Sequence, residues 1–413
     1  MENEIFVGLD IGTTKVVCII TELGENNTLR VVGFGDCPSD GLRKGTVIDI
    51  DRTVKSIEKA VKEAELMAGI DVSDVWVGIA GDHIKGMDST GPVAISHENK
   101  EITQVDIDRV IEVAKAVAIP QDYEVLHVIS QGYCVDDQKG IKNPLGMCGA
   151  RLTTRVHIIT GQVTKILDLT KCVEQAGLRL AKLVFEPLAS SHAVLERDEK
   201  ELGVALVDIG GGTTDIAVYY DENIRHIGIV ALGGRNVTMD IGMGLRTPTD
   251  KAEEIKKKYG CAYQPLLRED ERFMVPLTGG REDREVSREM LVGIIEPRIE
   301  EILSLAHREI KQSGYLEMLG AGIVLTGGGA MMEGIREKAE NVFQLPVRIG
   351  VPGRFGGLTE KAKSPMHATG IGLCMFAAEA YANGDSKGKK RSKGDGGYQK
   401  SLEKMKNWFG KYF

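Results

Sequence analysis

Three glycine-rich turns hold the residues best suited to chemistry. They lie in VGLDIGTTKVVCII (residues 7–20), ALVDIGGGTTDIAVYY (residues 205–220) and IVLTGGGAMMEGI (residues 323–335). Each follows an apolar run of strand character. Gly12, Gly210, Gly211 and Gly212 let backbone N–H groups converge with no Cβ in the way, and converging N–H groups form an anion nest. Thr13, Thr14, Thr213 and Thr214 add hydroxyl donors, and Lys15 adds a point charge for phosphate. Asp10 and Asp208 stand at strand ends. They are placed to hold Mg²⁺ through its waters, because Mg²⁺ dehydrates reluctantly. Gly327, Gly328 and Gly329 open a turn that should lead from a strand into a helix and let the backbone approach a flat base or ribose. One such turn is a common hairpin feature; three in this order point to a nucleotide.

The elements that must position these turns are legible as a weak internal repeat. The first two runs each read as a strand, then Asp-Ile-Gly with further Gly and Thr, then a second strand, so two β-hairpins are expected. Strands alternate with helical patterns, an α/β arrangement of two related halves facing one site. Residues 51–69 place Val54, Ile57, Val61, Ala64 and Met67 on one helical face. Residues 84–162 read as a small α+β insertion, with Thr103 as the N-cap of a helix. Residues 289–313 form a helical stripe of Ile295, Ile299, Ile302, Ala306 and Ile310, which Pro297 should kink or restart.

Charge divides the chain. Residues 383–413 hold nine Lys or Arg and three acids, so the net charge of -8 splits into +6 on this tail and -14 on residues 1–382. So acidic a body is a poor generic nucleic-acid binder. Seven dispersed cysteines without a CxxC pair argue for a reducing compartment, and no signal peptide opens the sequence. The segment 383–397, with no apolar side chain, reads as a flexible linker of roughly 20 Å reach. Beyond it, Tyr398, Leu402, Met405, Phe409 and Tyr412 fall on one helical stripe flanked by Trp408 and Phe413. Lys400, Lys404, Lys406 and Lys411 occupy the remainder. A helix of this length spans about 24 Å, short of a bilayer core, so it should lie in the interface of an anionic membrane. Each lysine there contributes about 1 kcal/mol.

The two Asp-Ile-Gly loops and the late TGGGA resemble the phosphate-1, phosphate-2 and adenosine motifs of the actin/Hsp70/sugar-kinase ATPase superfamily. That resemblance implies ATP with Mg²⁺ in a cleft between duplicated domains. It brings in Gly234, and it places Glu253 and Lys256 of KAEEIKKKYG (residues 251–260) near the ribose and adenine. It also reads FEPLASSHAVL (residues 185–195) as the connecting motif, in which Glu186 orients the attacking water. The stretches LHVISQGYCVDDQKGIKNPLGMCGARLTTRVHIITG (residues 126–161) and VRIGVPGRFGGLTE, with the loops, resemble the FtsA family of bacterial actin-like cell-division proteins.

The implied fold is actin-like, with subdomain 1A at 1–83, completed by 163–198 and 366–382. Subdomain 1C takes 84–162, 2A takes 199–236 and 317–365, and 2B takes 237–316. The implied role is ATP-dependent polymerisation that tethers FtsZ filaments to the cytoplasmic face of the membrane at the septum. The FtsZ C-terminal peptide would dock on 2B, where Arg298, Glu300, Glu301 and Arg308 are candidate contacts. Later division proteins or filament neighbours would meet the loop at residues 143–147. Any ATPase activity would be slow and coupled to assembly. The competing readings are an actin-like pilus-assembly platform and a small-molecule kinase with rapid turnover.

Overall fold

A computed structural model describes residues 4–24, 28–267, 271–279 and 282–382. The repeat in the sequence is a repeat of topology. In the first half, strand Ile5–Ile11 pairs antiparallel with Lys15–Leu23, which pairs antiparallel with Leu29–Pro38. On its other side Ile5–Ile11 runs parallel to Asp74–Ile79, and that strand parallel to Arg179–Phe185. The second half repeats this order. Val204–Ile209 pairs with Thr214–Tyr220 and then Asn223–Val230 on the antiparallel side, and with Ile323–Thr326 and Val347–Ile349 on the parallel side. The central strands are buried almost throughout, as sheets covered on both faces require. The glycine turns therefore lie where the central parallel strands end, the usual ligand-binding edge of an α/β sheet.

Two helices join the halves. Glu186–Val194 and Ala368–Ala382 lie so close that a Cβ on Gly372 would stand 1.9 Å from the Ala189 carbonyl oxygen. One apolar cluster runs through this junction, from Ile19 and Phe185 of the first half to Leu206, Ala217 and Val324 of the second. Between the strands of the first half, the chain builds a separate antiparallel sheet in the order Ile84–Ala94, Arg151–Gln162, Tyr123–Val135, Gln138–Ile141. Helix Gln104–Lys115 covers it, with Ile107, Val110 and Ile111 in its own core. Thr103 precedes that helix, and the Asp106 carboxylate accepts both its backbone N–H at 3.1 Å and its hydroxyl at 2.8 Å.

Three expectations change. Met67 is 38% exposed and does not share the buried face of Ile50–Ala68. Gly33 and Gly35 draw the Ala60, Ala64 and Ala68 row onto strand Leu29–Pro38, and Met67 stands in the last turn of the helix, past Ala64, its last buried residue, about 60° round from the middle of that row. The helix Arg288–Gln312 continues through Pro297 without a restart. Pro297 removes the N–H that would bond the Gly293 carbonyl, but its i−4 neighbour is a glycine with nothing within 4 Å of a Cβ position, so the turn has room. The third glycine turn does not lead straight into an α-helix. A 3-10 turn, Gly328–Met331, comes first, and the helix starts at Ile335. The tail residues Leu402, Lys404, Met405, Lys406, Trp408, Phe409, Lys411, Tyr412 and Phe413 lie outside the described residues.

The Gly372 contact is with backbone, which cannot rotate away. Gly372→Ala is expected to destabilise the fold by about 1–3 kcal/mol or more, read as a lowered denaturant midpoint, whereas Gly69→Asn at an open left-handed helix end (φ 71) should change it little.

Candidate nucleotide site

The first two glycine turns have the same construction. Gly12 N–H bonds the Lys15 carbonyl at 2.9 Å, and Gly210 N–H bonds the Thr213 carbonyl at 3.0 Å. The two turns meet. A Cβ on Gly211 would stand 1.8 Å from Thr14 Oγ1, and one on Gly212 would stand 2.6 Å from Thr13 Oγ1. Only glycine permits that approach. Gly234 N–H bonds the Gly210 carbonyl at 2.9 Å, and Arg235 N–H that of Gly211 at 2.8 Å, so helix Gly234–Leu245 is docked on the second turn.

Carboxylates gather beneath the turns. Asp10 and Asp208 end the two central strands, and Ser190 Oγ donates to Asp208 Oδ2 at 2.8 Å. Glu186 opens helix Glu186–Val194, with Pro187 fixing its first turn. Asp215, opposite Asp208 in the hairpin register, accepts from Thr213 Oγ1 at 3.0 Å while its Oδ1 is buried without a partner. Burial pushes all four carboxyls upward: Asp208 to about 6 and Asp215 to about 8. Glu186 rises well above the usual range by burial and then by the charges of Asp10, Asp215 and Asp208. Asp10 is raised by burial against the pull of Lys15.

Lys15 is the cation set among them. Its Nζ donates to the Met366 carbonyl and lies 3.0 Å from His367 Nδ1. Burial lowers its pKa against the pull of Asp10, Asp36 and Asp208. His367 is held down at about 3 by burial and by Lys15, so the ring is neutral and accepts.

The other sequence candidates fall in two places. Glu253 and Lys256 are partly buried. They pair at 2.6 Å, and Lys256 Nζ reaches the Gly234 carbonyl at 3.1 Å and Thr238 Oγ1 at 2.9 Å, beside the second turn. Gly327, at φ 83, would bring a Cβ 2.3 Å from Asp208 Oδ1, and Gly329 one 2.3 Å from Ile209 Cγ2, so the third turn closes on the second strand end. Gly328 stays open. The surface candidates lie elsewhere. Arg298 is tied to Asp240 at 2.6 Å and to Glu301. Glu300 holds Lys338 at 2.5 Å. Arg308 is exposed further along the helix. A groove of about 610 Å³ on this helix is lined by Gly293, Glu296, Pro297, Glu300, Glu301 and Ser304, so of the four surface candidates Glu300 and Glu301 reach it.

Sequence reading missed Asp215, Ser190 and His367. Asp215 left a signal: it breaks the repeat, standing in an otherwise apolar strand where the first hairpin has Val17 opposite Asp10. His367 left none.

A family model described as cell division protein FtsA matches residues 205–372, and one described as the SHS2 domain inserted in FtsA matches residues 81–160. The chain is 46% identical over 408 residues to the cell division protein FtsA of Pseudomonas aeruginosa, covering 98% of this chain and 97% of that one. The chain belongs to the FtsA family. The FtsA of Escherichia coli K12 is 41% identical over 419 residues, covering 100% of this chain and 99% of that one. FtsA proteins are actin-like cell-division proteins, and the solved structures agree on the fold. A PilM–PilN type IV pilus biogenesis complex superposes with a TM-score of 0.65 at 15% identity, covering 90% of this chain and 98% of that one. MreB5 of Spiroplasma citri bound to ADP gives 0.56 at 14% identity, covering 94% and 100%.

The raised carboxyls have a consequence for this FtsA-family chain. A carboxyl whose pKa is higher folded than unfolded gives stability that is present at low pH and lost as pH rises through the folded value. Asp215→Asn should therefore stabilise the nucleotide-free protein. The gain should grow between about pH 5 and pH 8, at no more than about 1.4 kcal/mol per pH unit. Urea titrations across that range check this, and a gain independent of pH would contradict it.

Proposed function

We propose that the chain binds ATP with Mg²⁺ between its two halves, polymerises, and tethers FtsZ filaments to the cytoplasmic face of the membrane at the division septum. The observation that carries the nucleotide reading is the meeting of two identically built glycine turns over a cluster of four acids, Asp10 and Asp215 buried and Asp208 and Glu186 partly so. The turns offer N–H groups and the Thr13 and Thr14 hydroxyls to phosphate, whereas Thr213 Oγ1 is held by Asp215 and the buried Thr214 Oγ1 donates to the Leu232 carbonyl at 3.0 Å. Lys15 supplies a charge once a phosphate competes with the Met366 carbonyl. Glu253 and Lys256 stand on the far side of the second turn, on the ribose and adenine side.

The donor set fits a hydrated Mg²⁺. Its atoms are hard carboxylate oxygens, one of them unpartnered, and their pKa values are raised by burial. Among the described residues no three His, Cys, Asp or Glu side chains converge to ligate a metal directly, which accords with contact through water from Asp10 and Asp208. Bound there, Mg²⁺ would offset phosphate charge and favour the ionised acids. Glu186, ionised in that setting, orients the water that attacks the terminal phosphorus. Turnover is slow and follows assembly.

Membrane attachment rests on the basic aromatic segment 398–413. Among the described residues no helix is long and apolar enough to cross a membrane. One copy is a modest anchor, and a filament multiplies it through effective concentration. The groove beside Pro297, where the Gly293 carbonyl has lost its helical donor, is the surface for the FtsZ C-terminal peptide. The exposed Leu145 in the loop at residues 143–147 is the contact for later division proteins or filament neighbours.

Electron microscopy of the full chain on anionic lipid monolayers tests the whole reading: ATP should yield filaments on the lipid. Deleting residues 398–413 should abolish lipid association while leaving ATP binding intact; unchanged vesicle co-sedimentation would refute the anchor. Glu186→Gln should preserve ATP affinity and lower hydrolysis by about 10²-fold or more. Equal turnover would remove Glu186 from the mechanism.

A further inference from the structure

A short hairpin, Leu42–Arg43 paired with Thr46–Val47, brings a third element against the two glycine turns. Its turn residues, Lys44 and Gly45, both take left-handed backbone, with φ 52 and φ 73. Glycine does so freely; a lysine there carries a steric cost, and such outliers concentrate at ligand sites. Gly45 N–H donates to Thr13 Oγ1 of the first turn at 3.0 Å. A Cβ on Gly212 of the second turn would lie 3.0 Å from Lys44 Cα. The hairpin turn thus touches both glycine turns at the place where they touch each other.

The hairpin turn is also held from behind. A Cβ on Gly45 would meet the Ala80 carbonyl oxygen at 2.6 Å, and one on Gly81 would meet the His83 ring at 2.8 Å and the Lys44 carbonyl at 3.3 Å. Backbone against backbone leaves Lys44 little freedom of position. Its side chain is exposed, and no ion pair engages it among the described residues. Lys15, by contrast, is already committed to Met366 and His367. A triphosphate entering between the turns brings one phosphate more than a diphosphate, into a site with four acids, two of them buried. Among the described residues, Lys44 is a cation at the junction of the two turns that no ion pair engages.

We propose that Lys44 is a specificity-determining contact for the terminal phosphate of ATP, the group that ADP lacks. This rests on the nucleotide reading above. The test is the dissociation constants of Mg-ATP and Mg-ADP, by titration calorimetry, for the full chain and for Lys44→Gly and Lys44→Arg. Glycine suits the left-handed backbone, so Lys44→Gly keeps the fold while removing the charge. It should weaken ATP by about tenfold or more and ADP by less than about twofold, the range of one charge-assisted hydrogen bond. Lys44→Arg should retain most of the preference for ATP. An unaltered ratio of the two constants in Lys44→Gly, with both nucleotides still bound by the native chain, overturns the Lys44 assignment alone. Failure of the native chain to bind either nucleotide overturns both this assignment and the reading beneath it.

Discussion

Thr14 Oγ1 and the backbone of Gly211 occupy positions that would leave a Cβ on Gly211 only 1.8 Å from the hydroxyl, and Thr13 stands in the same way against Gly212. The two halves of the molecule approach each other through this contact, and it exists only because one side carries no side chains. Much else follows from it. Because the turns touch, the strands that carry them end at a common point, and the acids at those ends are forced into mutual range. Because Gly210 and Gly211 present carbonyls on their other face, helix Gly234–Leu245 docks there by two hydrogen bonds, and the Glu253–Lys256 pair is brought to the same turn.

Burial at this junction has an electrostatic price. Four carboxyls face one lysine, and each is pushed toward its neutral form, with Asp208 near 6 and Asp215 near 8. Such a cluster opposes folding as pH rises. In the proposed function the same imbalance would favour a hydrated divalent cation and, through it, phosphate. The apolar junction around Gly372 and Ala189 bears the cost, since it holds the halves together independently of the charged floor.

The inserted sheet has a separate core, yet it is not detached. Gly45, Ala80, Gly81 and His83 lie in succession between the glycine turns and its first strand, Ile84–Ala94. On its far side, Gln131 Nε2 bonds the Ile224 carbonyl of the second half at 2.9 Å, and Lys142 pairs with Glu222 at 3.0 Å. The insertion therefore bridges both halves and is placed to move with them.

What the sequence determined by itself was local. A hairpin is set by residues a few positions apart, so VGLDIGTTKVVCII and ALVDIGGGTTDIAVYY were readable as matched strand–turn–strand units, and their glycines as the turns. The helical stripe Ile295–Ile310 was readable for the same reason, whereas Met67 was misplaced because it stands in the last turn of its helix, past the last buried residue, Ala64. The tertiary structure alone decided which groups share the site. Lys15 meets the Met366 carbonyl across 351 residues, and Ser190 meets Thr369 across 179. Such contacts depend on how the halves are oriented, which periodicity does not encode. Asp215 is the intermediate case, an acid visible in an apolar strand whose burial and missing partner appear only when the second hairpin is folded against the first.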